Sequence, residues 1–305
     1  MIAFVLSGAG ARGPLQVGAF QALLEAGIQP DFIVGTSAGA INASYVASRG
    51  LNAEALTAMH AQWKSVKFGE VYPGGLIGAA WRLLRKNQSL YPSGGLRKLI
   101  EKGLPKGVTT FADLQLPLYV TAVDIVSGRL FLFGEDPRAP VADAVLASSS
   151  IPGIHPPVHY HGLQLVDGGV LANVAASVAM DKGALQVYAL NAGYAGEKPQ
   201  EITGVVDVLN QTLTTMMAQS LKEDLVRADA ATSIDLHHIV LRPNAPVPFG
   251  DFSQADELAV AGYETTKAYL AAPRPRDAVP HEPKHRDLGE IVPGAREFTP
   301  WYWLR

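Results

Sequence analysis

The chain has 305 residues, 48% of them hydrophobic and 17% charged, with a formal charge of -3 and a pI near 6.2. This composition supports a large buried core and excludes disorder across the body of the chain, while the slight acidity gives no long-range attraction to nucleic acid. With no cysteine, disulfides, thiolate nucleophiles and cysteine-ligated zinc are removed from consideration.

The first apolar run, Ile2–Leu6, reads as a buried strand that enters a glycine-rich turn at once. It lacks a basic leader, so it does not read as a secretory signal. No stretch offers roughly 18 uninterrupted apolar residues, so no spanning helix is expected and a cytoplasmic location is the default. Next comes a helix over Leu15–Ala26, with Leu15, Ala19, Ala22, Leu23 and Ala26 at three- and four-residue spacing, Pro14 in its first turn and Gly27 at its exit. A strand over Phe32–Val34 and a helix over Ala38–Ser48 complete a βαβ opening, which implies a parallel sheet. Later strands are expected at Leu118–Val123, Leu130–Phe133, Leu163–Val166, Gln186–Leu190 and Leu236–Leu241, with Ser127-Gly128 as a hairpin turn between the first two. Helices are expected at Pro140–Ala147, Val174–Lys182, Val205–Ala230 and Gln254–Ala271. The fold class that results is α/β, a three-layer α/β/α sandwich with a mainly parallel central sheet. One domain is expected over residues 1–272, followed by an irregular tail over 273–305 that is rich in proline and ends in Trp301-Tyr302-Trp303.

The segment Gly35-Thr36-Ser37-Ala38-Gly39, between a strand and a helix, reads as a nucleophile elbow with Ser37 at its apex. Upstream, Gly8-Ala9-Gly10-Ala11-Arg12-Gly13 occupies the other strand-to-helix junction. Alone, this turn fits a dinucleotide pyrophosphate equally well. That rival expects an acidic residue closing the second strand, whereas here the strand ends in Gly35-Thr36-Ser37 and Asp31 precedes it. In a parallel sheet both turns lie at carboxyl ends of neighbouring strands, which sets the glycine-rich amides beside Ser37 as an oxyanion hole. A serine also needs a proton acceptor. Asp167, in Val166-Asp167-Gly168-Gly169, is delivered by an apolar strand to an open turn and is the candidate.

Eight histidines compete for that role: His60, His155, His159, His161, His237, His238, His281 and His285. His237 or His238 could complete a triad, but the fold that uses one reaches its elbow after several strands, not after the second. His155, His159 and His161 suggest a metal, yet Pro156-Pro157 interrupts any regular ligand face and no carboxylate motif accompanies them, so they read as surface or loop residues.

Gly8–Gly13 with a basic residue at Arg12, the Gly35–Gly39 elbow and Asp167-Gly168-Gly169, in this order, resemble the patatin-like phospholipase family. The stretch Ala147–Pro157 is similar to a loop that precedes the Asp turn there, with His155 where an aromatic is usual. The resemblance covers roughly residues 1–240 and implies a phospholipase A-type acyl hydrolase with a Ser37–Asp167 dyad, an acyl-enzyme intermediate, and neither metal nor cofactor. It places the oxyanion on the amides of Gly8, Ala9, Gly10 and Ala38, with Arg12 steadying the loop or meeting a phosphate; the rival for Arg12 is a solvent-facing side chain. The motif glycines Gly13, Gly35, Gly39, Gly168 and Gly169 keep the backbone close. The partners expected are a lipid or acyl-ester substrate and, through Leu76–Lys86, an apolar run with a tryptophan and a basic end, a peripheral membrane contact; that run reads equally as a lid or a helix capping the core. An esterase, thioesterase or acyltransferase on soluble acyl donors, and a dinucleotide-binding module on the Gly8–Gly13 turn, are the alternatives.

Overall fold

A computed structural model gives the fold; it describes residues 1–193, 234–248 and 250–272, with 204, 208, 211, 212, 215 and 216 between them. Residues Met1–Pro273 form one compact unit. The helix expected over Val205–Ala230 lies almost wholly outside the described residues, and so does the tail.

Strand β1 (Ile2–Leu6) is apolar throughout and pairs in parallel on both sides, with β2 (Phe32–Gly35) and β7 (Gln186–Asn191). A strand buried on both faces needs a continuous apolar run, not an alternating one. Phe4, Leu6 and Ile33 turn to one side, into a cluster with helices α1 (Gly13–Glu25), α2 (Ala38–Arg49) and α3 (Ala53–Ser65). Ala3, Val5, Phe32 and Val34 turn to the other, against Val174, Val178 and Ala179 around helix α9 (Ala176–Asp181). Helices therefore cover both faces, and the three layers follow from the side-chain alternation of two central strands.

The sheet continues from β2 to β3 (Leu118–Asp124) and from β7 to β8 (Asp235–Val240), all in parallel. Beyond β3 the direction changes. Strand β4 (Arg129–Phe133) returns from β3 as a hairpin through Ser127-Gly128, with Gly128 at φ 65°. Strands β5 (Val158–Tyr160) and β6 (Leu163–Asp167) pair with each other, and β6 pairs with β3, all antiparallel. Among the described residues the sheet has eight strands, parallel in the half that carries the elbow.

Between β2 and β3 lie α3, a short turn of helix α4 (Phe68–Val71), α5 (Gly75–Leu84) and α6 (Gly94–Gly103). Helix α7 (Val141–Ser148) precedes β5, and α8 (Gly169–Ala172) follows β6 directly. The helix expected over Val174–Lys182 is the shorter α9, and α8, separated from it by Asn173–Ala175, is an additional turn of helix. Helix α10 (Ala255–Ala271) closes the unit against α1.

Candidate active site

The elbow is built by backbone conformation before any side chain acts. Ser37 sits at φ 55°, ψ -126°, in the region that side chains other than glycine's rarely adopt, and it is the N-cap of α2. Such strain survives only where the surroundings hold it. On one side, Gly39 brings the start of α2 against the carbonyls of Leu6 and Ser7, where a Cβ would overlap both. On the other, the buried Ser148 hydroxyl accepts a hydrogen bond from the Ser37 amide at 2.8 Å. Thr36, one residue before, donates its hydroxyl to the Ala172 carbonyl at 3.1 Å and shares a 2.7 Å hydrogen bond with Thr121. The hydroxyl of Ser37 therefore stands over the first turn of α2, at the positive end of its dipole.

Asp167 reaches the same place through strand geometry. Val120 of β3 pairs with both Gly35 of β2 and Phe133 of β4, and β3 residues 122–124 pair with both β4 and β6. Strands β2 and β6 must then lie on the same edge of β3, one after the other. Because β6 runs antiparallel, its carboxyl end faces the carboxyl end of β2. Gly35 is opposite Val120 and Asp167 opposite Ala122, so the two ends are two residues of β3 apart, roughly 7 Å at strand spacing. The Asp167 amide donates to the Ser150 carbonyl at 2.9 Å, so the short segment Ser148–Ser150 at the end of α7 ties both the serine and the aspartate.

The Asp167 carboxyl is 1% exposed, and burial pushes its pKa up to about 6. The Ser37 side chain and the Gly169 amide, the latter donating to Oδ1 at 2.8 Å, pull the other way. The Ser37 hydroxyl is thus close enough to act on the carboxyl, yet Oδ2 closes no well-aligned hydrogen bond among the described residues. Loose geometry of this kind is common before substrate binds. Gly168, between them in the chain, packs on Thr121.

The glycine-rich turn lies next to the serine. The space that a Cβ on Gly8 would fill is 3.1 Å from Ser37 Cβ and 2.5 Å from Asn173 Oδ1. The expected role of Gly8 is corrected here: its amide donates to the Asn173 carbonyl at 3.2 Å, so it is already engaged, and Gly8 serves by leaving room. The amides of Ala9, Gly10 and Ala38 accept no such commitment among the described residues. Ala9 and Gly10 open a 3-10 turn, Gly10–Arg12, that runs into α1, and Ala38 opens α2, where helix geometry leaves the first amides without internal acceptors. Gly10, at φ 54°, turns the backbone between them.

Behind the turn runs a buried polar chain that sequence reading missed. Trp63 Nε1 donates to Asn42 Oδ1 at 2.8 Å, and Asn42 Nδ2 donates to Gln16 Oε1 at 2.9 Å and to the Gly13 carbonyl at 3.0 Å. Gln16 Nε2 then donates to the Ser7 carbonyl at 2.9 Å. Satisfied networks in a low-dielectric interior fix geometry firmly. Arg12 is 2% exposed, which sets aside the solvent-facing reading.

Among the described residues, the two histidines of β8 stand apart from the elbow. His238 is on β8, three strands from β2 and so roughly 14 Å away across the sheet. Burial lowers its pKa to about 4, and its Nε2 faces Asn191 Nδ2 at 3.2 Å. His237 stacks on Tyr188 with rings 4.4 Å apart. His159, on β5, and His161, in the turn after it, are exposed as expected, but His155 is not. It is 1% exposed and stacks on Tyr72 at 5.5 Å, and burial pushes its pKa down to about 4. The aromatic expected at this position is replaced by a neutral imidazole that packs as one. Asp31 accepts from the Ile2 amide at 2.7 Å, at the opposite end of β2 from Ser37, out of reach of any ribose beside the glycine turn. No group of metal-ligating side chains occurs among the described residues.

A hydroxyl on a strained elbow, a buried carboxyl facing it and amides left open by two helix starts are the parts of a nucleophilic acyl-transfer site. Lysophospholipase NTE1 of Phaeosphaeria nodorum is 29% identical over 301 residues, which is 92% of this chain and 19% of that protein. An uncharacterised NTE family protein of Mycobacterium tuberculosis is 34% identical over 180 residues, 58% of this chain and 28% of its own. The chain therefore spans about a fifth of the fungal relatives and just over a quarter of the mycobacterial one. Among solved structures, VipD from Legionella pneumophila aligns with a TM-score of 0.42 at 17% identity, over 88% of this chain and 66% of that one. The family model for patatin-like phospholipases matches residues 4–180, a span that holds the glycine turn, the elbow and the Asp turn, and the chain belongs to that family.

Proposed function

We propose that this protein is a serine lipid acyl hydrolase of the phospholipase A type that works through a Ser37–Asp167 dyad. The observation that carries the reading is the Ser37 hydroxyl beside a buried carboxyl whose pKa lies near 6. A carboxyl in that range is a better proton acceptor near neutrality than an ordinary aspartate, and no histidine among the described residues is placed to substitute. The fungal relatives carry the name lysophospholipase, which favours a single-chain acyl lipid as substrate.

In this reading Ser37 Oγ attacks the ester carbonyl carbon while its proton passes to Asp167. The amides of Ala9, Gly10 and Ala38 hold the oxyanion, each worth about 3–4 kcal/mol of barrier in well-placed cases. Collapse breaks the ester C–O bond, and the leaving alcohol takes the proton from Asp167. Water then attacks the acyl-enzyme, again giving its proton to Asp167, and the fatty acid leaves as Ser37 recovers its hydrogen. Arg12 steadies the turn that carries the amides. Residues 1–272 constitute the catalytic unit, working at the cytoplasmic face of a membrane through the segment 76–86.

A fluorophosphonate probe tests the assignment directly. Wild-type protein is labelled at Ser37 and cleaves lysophosphatidylcholine, and Ser37→Ala loses both while its melting temperature is kept. Undiminished turnover by that variant refutes the proposal.

A further inference from the structure

Charge is unevenly spread along this chain. From Val71 to Ile100 it carries five cations, Arg82, Arg85, Lys86, Arg97 and Lys98, and no carboxylate, although the whole protein is acidic. Arg97 is occupied by Asp143 at 2.6 Å and by Glu101 at 3.5 Å. Arg82 is turned inward, donating to the Ser89 carbonyl at 3.0 Å and its hydroxyl at 3.2 Å. Arg85, Lys86 and Lys98 are exposed, and no carboxylate among the described residues pairs with them.

The same end of α5 is apolar. Trp81, Leu83 and Leu84 are 58%, 68% and 78% exposed, while Ala79 faces inward and is buried. The Arg85 guanidinium lies 5.3 Å from the Trp81 ring centre. Large exposed apolar side chains in contiguous sequence are unusual on a soluble surface and mark a docking site. Tryptophan and leucine beside unpaired cations match an interface in which acyl chains lie beneath anionic headgroups.

The patch is also held close to the catalytic loop. Ser89, which anchors Arg82, donates to the Tyr91 carbonyl at 3.0 Å. Leu90 and Tyr91 then donate to the carbonyls of Gly153 and Ile154, both at 2.9 Å. That loop begins at Ser150, whose carbonyl holds the Asp167 amide.

We infer that the exposed end of α5, Trp81–Lys86, is a docking surface for an anionic lipid bilayer, seating the protein with its catalytic loop beside the membrane. This rests on the lipid-hydrolase reading for its purpose and on charge and exposure for its partner.

The test is co-sedimentation of the full chain with vesicles of phosphatidylcholine alone or with an equal part of phosphatidylglycerol. Wild type binds the mixed vesicles more tightly, and added salt weakens that binding. Arg85→Gln/Lys86→Gln binds mixed vesicles about thirtyfold more weakly, from about 1 kcal/mol per basic side chain near such a surface. Trp81→Ser/Leu84→Ser weakens binding to both kinds, with unchanged melting temperature as the check on folding. In both variants the ratio of vesicle to soluble-ester turnover falls. Equal binding to the two kinds of vesicle, or no loss in the glutamine variant, overturns the inference. So does a wild-type dimer, dissociated by Trp81→Ser/Leu84→Ser, that ignores vesicles: the surface would then belong to a second copy of the chain. Ser37→Ala separates the two proposals, since it binds vesicles like wild type whether or not the wild type cleaves lipid. Binding without hydrolysis defeats the functional reading alone; hydrolysis without binding defeats the docking surface alone.

Discussion

Replacing Asp167 by asparagine is expected to cut turnover by orders of magnitude and to gain stability relative to wild type as pH rises. Burial lifts this carboxyl to about 6 against an ordinary 3.8. A difference of about two units corresponds to about 3 kcal/mol between the two protonation states. The folded pKa is the higher one, so the stability that goes with the protonated form is fully present below the unfolded value near 4 and is lost as pH rises through about 6. About half of that loss falls between pH 5 and pH 8.

Asparagine never ionises, so it escapes this penalty. Its Oδ1 can still accept the Gly169 amide, but its amino group takes the place of Oδ2, which has no hydrogen-bond partner among the described residues. That costs about 1–3 kcal/mol at every pH, which makes the absolute stability of the variant a poor readout and the pH dependence a good one. Urea titrations followed by circular dichroism should show the variant gaining on wild type by about 1.5 kcal/mol from pH 5 to pH 8. Over the same range kcat/KM of wild type on a soluble ester should climb through a limb near pH 6. In the variant that limb should vanish, with activity down by about 10²–10⁴. Parallel stability curves for the two proteins, or a variant retaining a tenth of the activity, would refute the role given to this carboxyl.

Two further outcomes test the setting of the dyad. Ser148→Ala leaves the buried Ser37 amide without its acceptor, which costs about 1–3 kcal/mol of stability in urea titrations. Because Ser148 holds the elbow and touches no reacting atom, kcat should fall by about 10–100-fold with KM nearly unchanged and the pH limb still near 6; an unaltered kcat removes it as a positioning residue. His237→Ala and His238→Ala should keep kcat/KM within about threefold, and a loss of orders of magnitude in either would restore a histidine to the mechanism.

What the sequence made legible was the set of positions where backbone must approach backbone. Gly39 fits against two carbonyls and Gly8 beside Ser37, and such contacts leave a mark that survives in a single chain because only one residue type satisfies them. Central strands were equally readable from unbroken apolar runs. Side chains that hold the site from a distance were not: Ser148 lies 111 residues from the amide it binds, and Asn42, Gln16 and Trp63 meet only after three helices pack. Polar residues of this kind look like ordinary helix or loop positions until their partners are known. His155 was misread for the same reason, since the ring that buries it, Tyr72, comes from a segment over 80 residues earlier.

Strand direction is the feature on which the site turns, and it is nowhere encoded locally. An apolar run followed by Asp-Gly-Gly is consistent with a parallel strand, and the βαβ opening encourages that expectation. Had β6 run parallel to β2 along the edge of β3, its carboxyl end would have pointed away from the elbow, leaving Asp167 several residues further along the sheet. Antiparallel entry on the edge that β2 vacates instead sets two strand ends nose to nose, with Gly35 and Asp167 opposite β3 residues only two positions apart. One reversal of strand direction is thus what the proposed dyad, without a bridging imidazole, requires: it brings the carboxyl to the end of the sheet that carries the hydroxyl, and the burial it meets there is also what lifts its pKa.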